Sequence, residues 1–285
     1  MARDSAFARA WAGLAQAEIL LALFGTTVSS RQAWPRVQAA AHRAIALDST
    51  LAEAHAALAY GTMLFAWDWA GAERGFRRAI LADPRYPTAH HWYGDFLAGR
   101  GRWAEAYAEM TRARELDPLS RIIAVERGWT LTSLGRYDEA EAALEDALRL
   151  DPNYAHAHIL RGWLRIAQQR YPAAIADLRR GLVLGGFYPH GPVGLIRAFT
   201  ALGQPDSAQA ELAALRARAR AEGVPPIAFA GAFAALGQRD SAFAWLERGI
   251  AERDGFLPEN FFDPMFAPLT DDPRYAPIAT RIRGR

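Results

Sequence analysis

The sequence contains no cysteine and no lysine, and each absence excludes a class of chemistry. Without cysteine, neither disulfide bonds nor thiolate zinc sites can form. Without lysine, all 33 basic residues are arginine, which excludes Schiff-base catalysis and a phosphate-binding loop that depends on lysine. The chemistry left to the chain is that of carboxylates, histidines, hydroxyls and arginines.

The sequence also lacks a strong charge of one sign and a long apolar run. The formal net charge is +2, and acidic and basic residues alternate along the chain. We therefore expect no direct binding to nucleic acid and no membrane-spanning segment. The apolar stretch near the N-terminus is interrupted by Gln16 and Glu18, which favours an ordinary first helix over a signal peptide and predicts a cytoplasmic location.

A repeat with a constant period organises the chain. Asp-Pro pairs end at the equally spaced Pro84, Pro118 and Pro152, and the same order of small and large residues returns between them. The unit after Pro84 has a first stripe of His90, Tyr93, Gly94 and Leu97, a break at Gly101, and a second stripe of Ala106, Met110 and Ala113. A fixed period of this length indicates stacked helical pairs.

This pattern resembles the tetratricopeptide repeat, a helix-turn-helix unit of about 34 residues. The resemblance implies an all-α fold, a right-handed α-solenoid of about seven such units. We expect the solenoid to cover residues 1–254, with the last two repeats degenerate. Residues 255–285 contain Pro258, Pro264, Pro268 and Pro273, and are expected to cap the last repeat as part of the same domain.

The adjacent histidines His90 and His91 raise the alternative of a metal site. His90 shares its repeat slot with His55 and His158, and a residue that recurs at a structural position is expected to pack between helices. His91 and Asp95 share a helix face, but the sequence places no third ligand with them. We therefore expect no metal and no cofactor.

The resemblance also implies that the first helices line a concave groove that holds a peptide. The ninth residue of successive repeats is Asp95, Trp129, Trp163 and Arg197, and the fifth residue includes His91 and Ile159. The candidate peptide-binding groove consists of Tyr60, Met63, His91, Asp95, Trp129, Ile159, Trp163 and Arg197. Trp129 and Trp163 are interpreted either as partly exposed anchors for a partner or as core residues.

The family resemblance implies a non-catalytic scaffold that binds a protein or peptide. The chain cannot form the lysine- and asparagine-based clamp for carboxylate tails, because it has no lysine and its two asparagines, Asn153 and Asn260, lie outside the groove slots. The amino-acid sequence of residues 89–120 and 234–275 is similar to that of repeat regions in bacterial signalling proteins that carry kinase, cyclase or winged-helix domains. A small-molecule or metal-dependent sensor or enzyme at His91 and Asp95, and an architectural oligomer, are the alternatives; the oligomeric state and the partner stay open.

Overall fold

The alternation of apolar stripes and glycine or proline breaks produces helices throughout the chain. The computed structural model describes residues 7–24, 30–185 and 188–283, and these residues contain no β-strand. The α-helices are α1 Ala8–Phe24, α2 Ser30–Leu47, α3 Ala52–Gly61, α4 Trp69–Ala82, α5 Pro87–Ala98, α6 Trp103–Leu116, α7 Arg121–Ser133, α8 Tyr137–Leu150, α9 Ala155–Ala167, α10 Tyr171–Leu184, α11 His190–Ala201, α12 Pro205–Glu222, α13 Pro226–Ala235, α14 Arg239–Glu252, α15 Leu257–Asn260 and α16 Tyr275–Arg283. A π-helical turn (Thr62–Ala66) follows α3, and a 3₁₀-helix (Pro264–Leu269) follows α15. None of the described helices combines the length and the apolar character needed to cross a bilayer.

The first fourteen helices form seven helix-turn-helix pairs, α1 with α2 through α13 with α14. The predicted all-α repeat architecture is therefore confirmed, including the number of pairs in the described part of the chain. The two degenerate units at the end of the repeat region, α11 with α12 and α13 with α14, pack as pairs like the others.

The Asp-Pro pairs and the glycine breaks seen in the sequence lie at the helix ends. Asp83, Asp117 and Asp151 end the second helices of three pairs, and each donates its backbone N–H to the carbonyl four residues earlier. Within a pair the turn is tight: Gly135 has a φ of +74°, a left-handed conformation that favours glycine. The Arg136 N–H then donates back to the carbonyl of Leu131 at 3.0 Å, which closes the end of α7.

Small residues allow the two helices of a pair to approach closely. A Cβ atom added at Gly128 would lie 2.7 Å from Leu144 Cγ, and one added at Gly162 would lie 2.6 Å from Leu178 Cγ. Both leucines are fully buried. The two glycines occupy the same slot of successive repeats, as do the two leucines, so the same close contact recurs in α7 with α8 and in α9 with α10.

The chain packs as two compact units, and each includes part of the C-terminal tail. Unit 1 contains the described residues within 7–118, 253–260 and 280–283, and unit 2 contains those within 119–252 and 261–279. α14 ends at Glu252, and the residues that follow it are divided between the two units. In unit 1, α15 contacts α5 and the π-helical turn, and in unit 2 the 3₁₀-helix contacts α11 and α13.

The paired-helix contact predicts opposite effects for two glycine-to-alanine changes. Gly162→Ala should destabilise the chain by about 1–3 kcal/mol, because the new methyl group overpacks the buried Leu178. Gly13 is the matched control: it lies in α1 with no atom within 4 Å of an added Cβ, so Gly13→Ala should stabilise by about 0.5–1 kcal/mol. Chemical denaturation of the three proteins measures both, and equal midpoints would contradict the packing argument.

Candidate functional site

The recurrent histidine slot has a structural role. His55, His90 and His158 are buried, and each Nε2 lies 2.8–3.1 Å from the carbonyl oxygen of the residue six positions earlier. A carbonyl oxygen can only accept, so each ring donates from Nε2 and ties the start of a first helix to the preceding turn. His90 Nδ1 also lies 2.7 Å from the Glu109 carboxylate, so both of its ring nitrogens face oxygen acceptors.

His91 and Asp95 share a face of α5, as the spacing predicts. His91 Nε2 lies 3.5 Å from an Asp95 carboxylate oxygen, and both side chains are largely buried. Burial lowers the pKa of His91 to about 4. Across the described ranges, no group of three histidine, aspartate or glutamate side chains is arranged to hold a metal ion. The pair therefore supplies two of the three or more protein ligands that a transition metal requires.

The fifth position of the repeats is occupied by residues of the hydrophobic core. Ile159 is buried, and its Cγ1 lies so close to Gly181 of α10 that a Cβ there would be 2.6 Å away. The slot faces the second helix of its own pair, so Ile159 offers no surface to a partner. Met63, in the π-helical turn, is also fully buried. The expectation that Ile159 and Met63 line an open groove is therefore wrong.

The tail covers Tyr60 within unit 1. Its ring stacks on Trp92 with centroids 4.5 Å apart, and its hydroxyl donates to the Glu259 carboxylate at 2.5 Å. The backbone of Pro258 and Glu259 also lies against Gly99, where an added Cβ would be 2.5 Å from the Pro258 carbonyl oxygen. The surface that the sequence assigned to a peptide partner is here in contact with the chain's own tail.

The two tryptophans of the ninth slot lie together in unit 2, as their shared repeat slot predicts. Their ring centroids are 6.2 Å apart in an edge-to-face arrangement, and His190 contacts both rings. Trp129 is 6% exposed and Trp163 only 2%, so of the two interpretations that the sequence left open, the structure agrees with core residues and not with partly exposed anchors. The Trp163 indole N–H donates to the His190 carbonyl at 2.8 Å.

A buried polar contact joins the tail to this aromatic cluster. His190 Nε2 lies 2.6 Å from the Asp263 carboxylate, and both side chains are almost completely buried. Burial raises the pKa of the Asp263 carboxyl, although the hydrogen bonds from His190 and Trp129 oppose the shift. The tail is therefore tied through His190 to the side of the cluster on which this ring contacts both tryptophans.

A cavity of about 570 Å³ remains beside the tryptophans in unit 2. Trp129, Trp163 and Arg197, three of the predicted groove residues, line it together with Pro264 of the tail. The Arg197 guanidinium lies 5.7 Å from the Trp163 ring centroid and donates to the Pro264 carbonyl at 2.7 Å. Burial lowers the pKa of Arg197, and the nearby Tyr171 hydroxyl opposes this shift.

Two further lining residues carry a repeat signal that the sequence reasoning missed. Tyr137 and Tyr171 line the cavity, and each is the first residue of a second helix. They continue a series at strict repeat spacing that includes Trp69 and Trp103. An aromatic residue repeated at the start of four second helices could have been found from the sequence. The contribution of Pro264 could not have been found in this way, because the tail does not follow the repeat period.

The helix pairs match a known family model, the tetratricopeptide repeat, over residues 68–121 and 125–192. These matched residues, a little under half of the chain, carry the tetratricopeptide repeat pattern. The matched ranges contain the Trp129 and Trp163 slots, while Arg197 lies just beyond them. A search of curated protein sequences returned no match.

Solved tetratricopeptide repeat structures share the fold at low sequence identity. PilF of Pseudomonas aeruginosa is 22% identical with a TM-score of 0.57, covering 79% of this chain and 96% of its own. PilW, a type IV pilus biogenesis factor, is 20% identical with a TM-score of 0.60, covering 74% and 92%. Cut9, solved in a complex with Hcn1, is 14% identical with a TM-score of 0.60, covering 95% of this chain and 52% of its own.

The buried imidazole of His91 predicts a loss of stability in mild acid. Its pKa is about 4 in the folded chain against 6.5 unfolded, so the unfolded state binds the proton first. The His91 contribution is complete above pH 6.5 and is lost as pH falls towards 4, by up to about 3 kcal/mol. Urea denaturation at pH 7 and pH 4.5 measures the loss. The His91→Gln variant should lose less between these pH values, and an equal loss in both proteins would contradict the assignment.

The burial of Trp163 predicts a structural effect of its removal. Trp163→Ala should lower the free energy of unfolding by about 3–5 kcal/mol, since it leaves a cavity between His190 and Trp129. Trp163→Phe keeps a ring and should recover part of the loss. The measurement is denaturant unfolding followed by circular dichroism. A loss below about 1 kcal/mol for Trp163→Ala would mean that the side chain is not part of the core.

Proposed function

We propose that this tetratricopeptide repeat chain is a non-catalytic interaction module that receives an acidic side chain of a protein or peptide partner in the cavity beside Arg197. The tryptophans form the back wall of the cavity, and Arg197 supplies the recognition. Three of the predicted groove residues, Trp129, Trp163 and Arg197, remain part of the proposed site. The binding contact is assigned to the arginine, and the tryptophans have a structural role.

The observation that carries this proposal is that Arg197 is partly buried and has no carboxylate beside it in the described part of the chain. Its guanidinium is partly buried, and in the described part of the chain no carboxylate lies within 4 Å of it. One of its five N–H groups is used by the Pro264 carbonyl. A desolvated arginine gains most from a carboxylate, which accepts two parallel hydrogen bonds from the guanidinium plane.

The groups around the cavity also favour binding over catalysis. His190 and Asp263 are paired with each other, buried, and not part of the cavity lining, so neither is presented to a ligand. Tyr137 and Tyr171 offer hydroxyls and ring edges, which suit recognition of a polar ligand. Cut9 was solved in a hetero-tetramer with Hcn1, which is an example of this fold in a protein assembly.

We further propose that the interaction belongs to bacterial signalling or regulation inside the cell. The support is the similarity of residues 89–120 and 234–275 to repeat regions that accompany kinase, cyclase or winged-helix domains. An in-frame effector domain in the adjoining coding sequence would support this context, and an adjoining gene set for another process would oppose it.

The Arg197 proposal predicts selective stabilisation by acidic peptides. In a thermal-shift titration with capped pentapeptides containing a central glutamate, glutamine or arginine, the glutamate peptide should raise the Tm of the wild type most. Arg197→Gln should weaken that effect about tenfold or more in apparent affinity, because a charge-assisted hydrogen bond is worth about 1.5–3 kcal/mol.

Arg179→Gln is the matched control for Arg197→Gln. Arg179 also lies over an aromatic ring in unit 2, 5.6 Å from the Phe199 centroid, but it does not line the cavity. Its replacement should leave the response to the glutamate peptide unchanged. Equal responses to the glutamate and glutamine peptides, or equal losses in the two variants, would contradict the proposed recognition.

A further inference from the structure

Unit 1 contains a second groove, which the function proposed for unit 2 does not use. The groove has a volume of about 610 Å³ and is bounded by α2 on one side, α4 on the other and α3 as its floor. The residues that line it form one helical stripe on each element, and these include Trp34 and Ile45 on α2, Leu58 on α3, and Arg74, Gly75 and Arg78 on α4.

The spacing of these stripes gives the groove its length. The α2 residues 34, 38, 42 and 45 follow one face of the helix, and at 1.5 Å per residue they span about 16 Å. The α4 residues 71, 74, 75 and 78 follow the matching face of the opposite wall over two turns. A groove of this length accommodates a segment of about five extended residues, or two to three turns of helix.

The floor of the groove is low because small residues allow α3 and α4 to pack closely. A Cβ added at Gly75 would lie 2.8 Å from the Ala59 Cβ, so glycine is needed for this approach. The apolar part of the lining comes from Trp34, Ile45 and Leu58, which are all partly exposed. The π-helical turn contributes Thr62 and Ala66 at one end.

The α4 wall of the groove carries two arginines, Arg74 and Arg78. Arg74 and Arg78 are exposed and lie one turn apart on the same face. Over residues 7–24, 30–185 and 188–283, neither has a carboxylate within 4 Å, whereas the neighbouring Arg77 pairs with Glu73 at 2.8 Å. Asp68 is the one carboxylate in the lining, and its oxygen accepts from the Gly71 N–H at the start of α4.

We propose that this groove is a docking surface for an acidic segment of a protein partner. Carboxylates of the segment pair with Arg74 and Arg78, and an adjacent apolar side chain lies against Trp34 and Leu58. Charge complementarity selects this occupant: the arginines form one rim, and the apolar residues beneath them favour a peptide side chain over a bare anion.

The probe for the test is a random twelve-residue peptide library displayed on phage. Selection on the wild type, with counter-selection on the double variant Arg74→Glu/Arg78→Glu, keeps only peptides that need this groove. Synthetic copies of the enriched peptides are then measured by fluorescence anisotropy at low and high salt. The enriched peptides should carry an excess of aspartate and glutamate together with a large apolar residue.

The expected result is a loss of affinity of at least tenfold in the double variant. The control Arg31→Glu/Arg43→Glu makes the same charge change in α2 at exposed residues that do not line the groove, and it should bind within about twofold of the wild type. Binding to the wild type should weaken as salt is raised, since the arginines are exposed. Leu58→Ala should also weaken binding while leaving the salt dependence intact.

Four outcomes would overturn the proposal. Enriched peptides without an acidic excess would remove the charge argument, and failure to enrich any peptide would show that the groove does not dock one. Equal losses in the two double variants would show a general effect of net charge. Binding of a single-stranded oligonucleotide that only Arg74→Glu/Arg78→Glu weakens would assign the surface to nucleic acid. Circular dichroism and Tm on each variant establish that it is folded, and the Arg197→Gln variant should bind the selected peptides like the wild type.

Discussion

The close approach of paired helices is the constraint on which the rest of this structure depends. Gly128 against Leu144 and Gly162 against Leu178 leave no room for a side chain on the glycine, so the backbones of the two helices lie near each other. That spacing aligns the first helices of neighbouring pairs, which places Trp129 edge-to-face with Trp163 and Arg197 over the Trp163 ring. The cavity lined by these side chains is therefore a consequence of small residues elsewhere in the pairs.

The C-terminal tail gives each unit a second source of core contacts. In unit 1, Leu257 is fully buried and Glu259 accepts the hydrogen bond of Tyr60. In unit 2, Phe261, Met265 and Phe266 are fully buried, and Asp263 is held by His190. The tail is thus integral to both units, and it occupies surfaces that would otherwise be available to a partner.

The two proposed binding surfaces rely on the same physical feature, arginines that have no carboxylate within 4 Å in the part of the chain that the structure describes. Arg197 is partly buried, so a ligand carboxylate there would replace lost hydration and gain a strong interaction. Arg74 and Arg78 are exposed, so their interaction with an acidic segment would be weaker and more sensitive to salt. Because all basic residues in this chain are arginines, the proposed contacts with carboxylates would be planar, two-point contacts on both surfaces.

The sequence by itself determined the repeat, the helix pairs, and which residues at the same repeat position lie next to each other in successive pairs. A constant repeat period assigns each position the same place in every pair. Spacing alone therefore predicted that Trp129, Trp163 and Arg197 lie next to one another. It also predicted the packing role of the recurrent histidines, His55, His90 and His158. The aromatic series that ends in Tyr137 and Tyr171 was equally available.

Only the tertiary structure decided which of these faces meets solvent. Trp129 and Trp163 are buried because His190, which is bonded to Asp263 of the tail, contacts both rings, and Tyr60 is covered because Glu259 of the tail accepts its hydrogen bond. The tail has no repeat phase, and its contacts join residues that are far apart in the sequence. Burial depends on such nonlocal packing, which periodicity does not encode.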